Sequence, residues 1–511
     1  MATKPVLNII GEHPISGADI IKQDHNQNYN LINDYAGSIQ GDFNSHVSGA
    51  TARHKALDVT FTPVTNITAI ETQSAIEQVN TRVGNIIASS GTSSTEVVDA
   101  RLSSTFGAFA NVKTRADNTD IKLKELIDIA GAFGIRWNET DDVWTRLGQS
   151  TSNTDWSKVY PFSEIKRCNL SDLGVVNAYF GDPTYIENGT NGQTMVEYPE
   201  TYSKYLYYTL STKVYHEWWI SSIPRAGFEL DPAFVYDTGT SKKFYLSAYE
   251  ASIFDVSASA YLLADEQVAD FTVTTGDKLA SIISAKPCSG LTQDLTLPKS
   301  RILANNRGLN WQLWNGTQIA FVQKLLMIEY GNANSQTAIG LGVVSKVTGT
   351  VNESEITGAT SFLGNLSGRQ AGTDGLTSVS YRGLENMWGN IFGWVDGINI
   401  QANNVLWINP TNKNHISDSY VAPYLLQGTL SNVNGFVSKL LGNKYGMFAV
   451  QNVGSSSTRI PDFYAQSAGN RVAVLGGIWT DGSDAGFACW HLSNSSANRN
   501  RLIGARFCYQ F

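Results

Sequence analysis

Apolar residues recur along this chain in three rhythms, and the changes of rhythm divide it. Residues 1–65 are polar and rich in Gly, Asn and Asp, with no sustained period of 2 or 3.6 except around Ile20 to Ile32. Such a stretch does not bury enough apolar surface to fold as a thick globule alone. From Ala69 a seven-residue repeat begins: Ala69, Ile76 and Val83 form one register, Thr72, Val79 and Ile86 the other. β-Branched residues at both core positions favour three helices over two, so the repeat predicts a short trimeric coiled coil; the alternative is an amphipathic helix packed on its own domain. Ser89-Ser-Gly-Thr-Ser-Ser is a turn-rich break. A second helical stretch is predicted from Asp117 to Ala130, where Ile121, Leu123, Leu126, Ile127 and Ala130 are apolar.

Beyond Trp137 the rhythm shortens. Runs such as Tyr205-Leu-Tyr-Tyr-Thr-Leu and Lys243-Phe-Tyr-Leu-Ser-Ala-Tyr read as strands, and few long amphipathic helices occur before residue 305. One helix stands out, over Gln318 to Gly331, with Ile319, Val322, Leu325, Leu326 and Ile328 at helical spacing and Gly331 and Asn332 as its C-cap. Glu329 is expected to pin its last turn. In Phe487-Ala-Cys-Trp-His-Leu492, alternation places Ala488, Trp490 and Leu492 on one face and Phe487, Cys489 and His491 on the other, and it is the latter set that is expected to face outward. The class is α+β: a segment 1–65, a helical neck 66–135, a β-rich stretch 136–305 and a compact domain 306–511.

Composition narrows the chemistry. The chain has 511 residues and a formal charge of −8, with no Lys/Arg run to neutralise phosphates, which argues against nucleic acid as a partner. No stretch approaches the roughly 18 apolar residues of a membrane span, and the first residues carry no apolar run of signal-peptide length, so synthesis and folding in the cytoplasm are expected. All twelve Trp fall at or after residue 137. The four Cys, at 168, 288, 489 and 508, have neither CxxC nor zinc spacing and read as free buried thiols. Cys489 and Cys508 could face each other across strands, although a cytoplasmic redox poise disfavours a disulfide. His46 and His54 lack an HxH or carboxylate partner, so neither a metal nor a cofactor is expected. Glu197, Glu229 and Asp231 are the acids a glycosidase would need in pairs, and nothing in their spacing brings two together.

Four blocks carry resemblances. Asn44-Ser-His-Val-Ser-Gly-Ala-Thr-Ala-Arg-His54 through Ala75-Ile-Glu-Gln-Val-Asn-Thr-Arg-Val-Gly-Asn-Ile-Ile87 to Thr95-Glu-Val-Val-Asp-Ala-Arg101 resembles the N-terminal parts of bacteriophage tail fibre and baseplate proteins, which implies docking on the virion and trimerisation. Met195-Val-Glu-Tyr-Pro, Trp218-Trp-Ile-Ser and Ala226-Gly-Phe-Glu-Leu-Asp-Pro-Ala-Phe234 resemble the first strands and loops of phage tail proteins with a C-type lectin fold. Gly389-Asn-Ile-Phe-Gly-Trp394 resembles the Gly-Asn-x-x-Glu-Trp signature shared by formylglycine-generating enzymes and the variable proteins of diversity-generating retroelements, with Gly393 in place of Glu.

The fourth block resembles the tail of those variable proteins. Gly476, Gly477, Trp479, Gly482, Ala485, Gly486, Leu492, Gly504 and Arg506 match its frame. The resemblance implies a receptor-binding surface between them, drawn from Trp479, Asp481, Asp484, Phe487, Cys489, His491, Asn494, Asn498, Arg499 and Arg501. Arg499, Arg501 and Arg506 lean it toward an anionic ligand. The enzyme's copper-holding thiol pair is not reproduced by Cys489 and Cys508, and the calcium lectin triplets Glu-Pro-Asn, Gln-Pro-Asp and Trp-Asn-Asp are absent. The reading is therefore a trimeric, non-enzymatic adsorption protein at a phage tail tip, with a bacterial surface polysaccharide or protein as receptor. Its alternatives are a tailspike-like polysaccharide-degrading enzyme and a retroelement-diversified adhesin not carried on a virion.

Overall fold

The computed structural model describes residues 72–89, 102–103, 107–108, 111 and 113–120, and then 131–510 except 237–238, 291–292 and 412–416. The segment 1–65, with His46 and His54, and the neck helix beyond residue 120 lie outside the described residues. The chain forms two compact units, Met1–Ile121 and Lys122–Phe511.

In the first unit, helix α1 (Thr72–Ser89) covers the heptad. Ile76, Val79 and Val83 are 47%, 42% and 47% exposed on the single chain, a stripe of branched side chains at spacings of three and four. A second helical stretch runs over 113–120 and starts earlier than the apolar pattern suggested, because the Asn111 side chain caps it, accepting from the Thr114 amide at 2.8 Å.

The second unit opens with β1 (Ala132–Asn138), which starts inside the stretch expected to be neck; Gly131, at φ +76°, turns the chain into it. There follow β2 (Val143–Gly148), β3 (Lys166–Leu170), β4 (Val176–Tyr179), β5 (Gln193–Pro199), β6 (Tyr202–Leu210), β7 (Lys213–Ser221), β8 (Glu229–Leu230) and β9 (Lys243–Ser247). Helix α2 (Leu297–Asn305), β10 (Trp311–Leu313) and helix α3 (Gly316–Tyr330) lead to β11 (Phe392–Gln401), β12 (Val405–Ile408), β13 (Leu425–Thr429) and β14 (Gly435–Val437). The chain finishes with β15 (Ile460–Gln466), β16 (Arg471–Leu475), β17 (Trp490–Asn494), β18 (Ile503–Ala505) and β19 (Phe507–Gln510).

Three sheets organise these strands. One has the order β8-β6-β7-β1-β2; the second, β10-β19-β9-β5-β3-β4, places β19 between strands from either side of residue 305, so the stretches 136–305 and 306–511 share a sheet. The largest has the order β13-β12-β11-β16-β17-β15-β14, with β18 parallel to β11. Helix α3 begins at Gly316, ahead of the expected Gln318, with Asn315 accepting from the Gln318 amide and Gln318 reaching back in a capping box, and ends as expected at Gly331, with φ +79°. Residues 316–328 are all buried, since α3 packs on β1, β7 and β11. Glu329 fixes its end by a bidentate pair with Arg382, at 2.7 and 2.8 Å.

Two apolar clusters sandwich the largest sheet. On one side lie Trp490, Leu492, Ala473, Leu475, Tyr464 and Val437 with α3; on the other, Phe392, Trp394, Val472, Val474, Cys489 and Ile503. The second cluster covers β11 and β16.

Candidate functional site

The tail block is built around two glycines. Gly476 and Gly477, at φ +108° and +88°, turn the chain out of β16, a region costly for residues with a Cβ. Trp479 then tucks under the sheet, fully buried, its amide donating to the Asn390 carbonyl at 3.1 Å and its own carbonyl accepting from Lys346. Asn390, the signature asparagine, ties four segments together. Besides Trp479, its amide donates to the Val343 carbonyl, its Oδ1 accepts from the Glu355 amide and its Nδ2 donates to Glu250, the side-chain contacts both at 2.6 Å. Burial pushes the Glu250 carboxyl up to about 8.

Gly393 has a packing reason. A Cβ there would sit 2.8 Å from the Trp314 ring, whose indole N–H donates to the Trp394 carbonyl. The departure from the signature makes room for that indole.

Three of the expected contact residues belong to the interior. Trp479, Phe487 and Cys489 are 0% exposed, so none can touch a receptor in the folded chain. The regular strand starts only at Trp490, and Phe487 is drawn inward with Ala488: its carbonyl accepts from Gln323 of α3, and the Ala488 amide donates to Asp462 at 2.8 Å. Cys489 does lie on the face opposite Trp490, as alternation required, but the second cluster covers that face. All four thiols are buried and unpaired.

The remaining candidates are held in different places. Asp481 accepts from the Ile478 amide within its own turn, and burial pushes it up to about 6; Asp484 is also raised by burial. That turn is fastened by Gly482 to Val344 and by Gln336 to the Gly482 carbonyl. Asn494 and Asn498 bond each other at 2.5 Å. Their loop is fastened instead by the Gly290 amide to the Asn500 carbonyl and the Leu297 amide to the Ser496 carbonyl. Arg499 pairs with Asp294, and Arg501 is half-buried. Arg506 is buried and donates to the carbonyls of Ser247, Ala248, Glu385 and Asn386, so it is no part of a surface cluster.

His491 is the residue of the block whose side chain reaches the border of the covered face. Its ring lies 4.6 Å from that of Phe392 and 6.5 Å from Phe463, which meets Phe436 edge-to-face at 5.6 Å. Phe392 is buried; His491, Phe463 and Phe436 are half-buried. Burial lowers the His491 imidazole to about 4, so it is neutral near pH 7. The pairings Ala465 with His491 and Phe463 with Phe436 put these rings on one face of β17, β15 and β14, where the second cluster has ended. Phe463 and Phe436 did not emerge from the sequence. Their signal was there, in Pro461-Asp-Phe-Tyr464 and Gly435-Phe-Val437, but the register that joins them to His491 is non-local.

The glycosidase candidates stand apart. Glu197 accepts from Tyr179, Tyr245 and Lys243; exposed Glu229 pairs with Lys444; buried Asp231 pairs with Lys324 and caps the turn at Ala233. Each acid is committed to its own cation. Among the described residues no group of three or more His, Cys, Asp or Glu is gathered to hold a metal ion, and no helix is long and apolar enough to cross a membrane.

No protein-family model matches this chain, and no curated protein matches it in sequence. Among solved structures it is similar to the Major Tropism Determinant P3c variant, with 12% identity and a TM-score of 0.23 over 74% of this chain and 72% of that one. It is likewise similar to the U1 variant of the same determinant, with 12% identity and a TM-score of 0.25 over 75% and 72%.

Proposed function

We propose that this chain is a receptor-binding protein of a phage tail, trimeric through α1, that adsorbs the virion to the bacterial surface at the open end of its largest sheet. The observation that carries the reading is the position of His491: the tail block is otherwise mostly frame, yet there its strand meets the half-buried rings of Phe463 and Phe436 at the border of the covered face. A rigid scaffold ending in a small aromatic surface suits recognition, and among the described residues no carboxylate pair suited to hydrolysis adjoins it. Three such sites on one fibre, and several fibres on one particle, would raise avidity by on the order of 10²–10⁴ when geometry lets them engage together. Weak single sites then suffice.

The test is adsorption. Purified protein should bind host cells and compete with the phage, and His491→Ala combined with Phe463→Ala should abolish both while the thermal unfolding midpoint stays near that of the parent. Undiminished competition by the folded double variant would sink the assignment.

A further inference from the structure

Resting on that receptor-binding reading, we propose that the open aromatic face takes an uncharged saccharide of the bacterial envelope. On this face of β14, β15 and β17, Phe436, Phe463, His491 and Ser493 are half-buried over buried Pro461 and Ala465, and none of the six is an acid, a lysine or an arginine. Of the tail's cations, Arg499 pairs with Asp294 and Arg506 with four carbonyls, and half-buried Arg501 lies in the loop beyond β17 rather than on these strands. An anionic glycan would leave its charge without a guanidinium or ammonium to meet it, which disfavours that class.

What the face does offer is a low floor of rings from neighbouring strands, with Phe463 and Phe436 edge-to-face. The negative face of an aromatic ring attracts polarised C–H groups, and the flat side of a pyranose presents a row of them. Amides and hydroxyls edge this floor: Ser493, Asn494 and Asn434 all reach solvent. The rim is also fixed, since Asn434 accepts from the Gln466 amide at 2.8 Å and Gln466 donates to Asn404 at 2.9 Å. An amide both donates and accepts, as a hydroxyl-bearing ligand needs.

Size separates a sugar from a protein partner. Three half-buried rings present on the order of 100 Å², against roughly 800 Å² per partner in a stable protein interface. The face matches one or two sugar rings.

The experiment uses the full-length protein and host cells treated with periodate or with protease. Adsorption should be lost after periodate, survive protease, stay constant from low to high salt, and be inhibited by neutral oligosaccharides released from the host envelope but not by polyglutamate. Phe436→Ala and Phe463→Ala should each weaken it by about tenfold, the scale of one lost stacking contact. Ser493→Trp, which blocks the face without removing any packed group, should do the same with an unchanged unfolding midpoint. Loss of binding to protease alone would replace the sugar with a protein, and loss to salt or polyglutamate would replace it with an anion; either overturns the ligand class and leaves the receptor-binding reading standing. Full adsorption by folded Ser493→Trp would remove the face itself, and failure of the parent protein to bind cells would remove the reading beneath it.

Discussion

Gly393, Phe487 and Asp462 show how single side chains constrain this fold. At Gly393 the Trp314 ring leaves 2.8 Å for a Cβ, closer than any side chain tolerates without a shift. Gly393→Ala is therefore expected to cost about 1–3 kcal/mol by overpacking, and Gly393→Glu more, as read from denaturant midpoints. Phe487 is packed in the α3 cluster, so Phe487→Ala should cost about 3–5 kcal/mol, whereas His491→Ala, at the edge, should change stability far less. A loss of adsorption in Phe487→Ala would thus report on folding, and the unfolding midpoint separates the two. Asp462 is buried beside Ala488, with its carboxyl pushed up to about 8 by desolvation. Because the folded value lies above the unfolded one, the folded state keeps a proton that the unfolded state releases. The resulting stabilisation is complete below the ordinary carboxylate range and is lost as pH rises toward and through 8. Asp462→Asn should flatten the decline of the melting temperature between pH 4 and 8, with Glu250 supplying a residual slope of the same sign; an unaltered profile would show that Asp462 is ionised in the native state.

The elements that could be read in advance were those whose evidence is local. Helix α3 announced its apolar spacing and its glycine stop, and α1 its heptads, because helical contacts recur within a few residues. The tail strand was half legible. Alternation correctly separated Trp490 and Leu492 from Cys489 and His491, but a period of two cannot say whether the face opposite Trp490 meets water or another layer. Here it meets Phe392, Trp394 and Val474 along most of its length, and opens only past His491. The aromatic partners of His491 come from strands whose register no short window contains, with Phe463 and Phe436 brought in through β15 and β14. The glycines of the frame were recognisable as motif positions, whereas the reason for Gly393 became visible only with Trp314 against it.

At the scale of the whole molecule, the proposed trimer predicts that assembly and folding can be separated. The stripe of Ile76, Val79 and Val83 lies in the first unit, and the sheets in the second. Ile76→Asp with Val83→Asp should turn a trimer into a monomer by light scattering while leaving the main unfolding transition, which belongs to residues 131–510, where it was; a trimer that persists would mean that α1 is not what joins the chains. The interleaved sheet carries a different consequence. Strand β19 is an internal member of its sheet, hydrogen-bonded to β9 on one side and β10 on the other, and 259 residues separate Arg506 from the Ser247 carbonyl it braces. At roughly 5–20 residues per second, a ribosome needs on the order of 10–50 s to travel from one to the other. Throughout that time β9 has been made and its neighbour has not, so the nascent protein waits with an unpaired edge in a crowded cell. Any substitution in the tail is then screened first by whether the late strand still arrives in register to close the sheet.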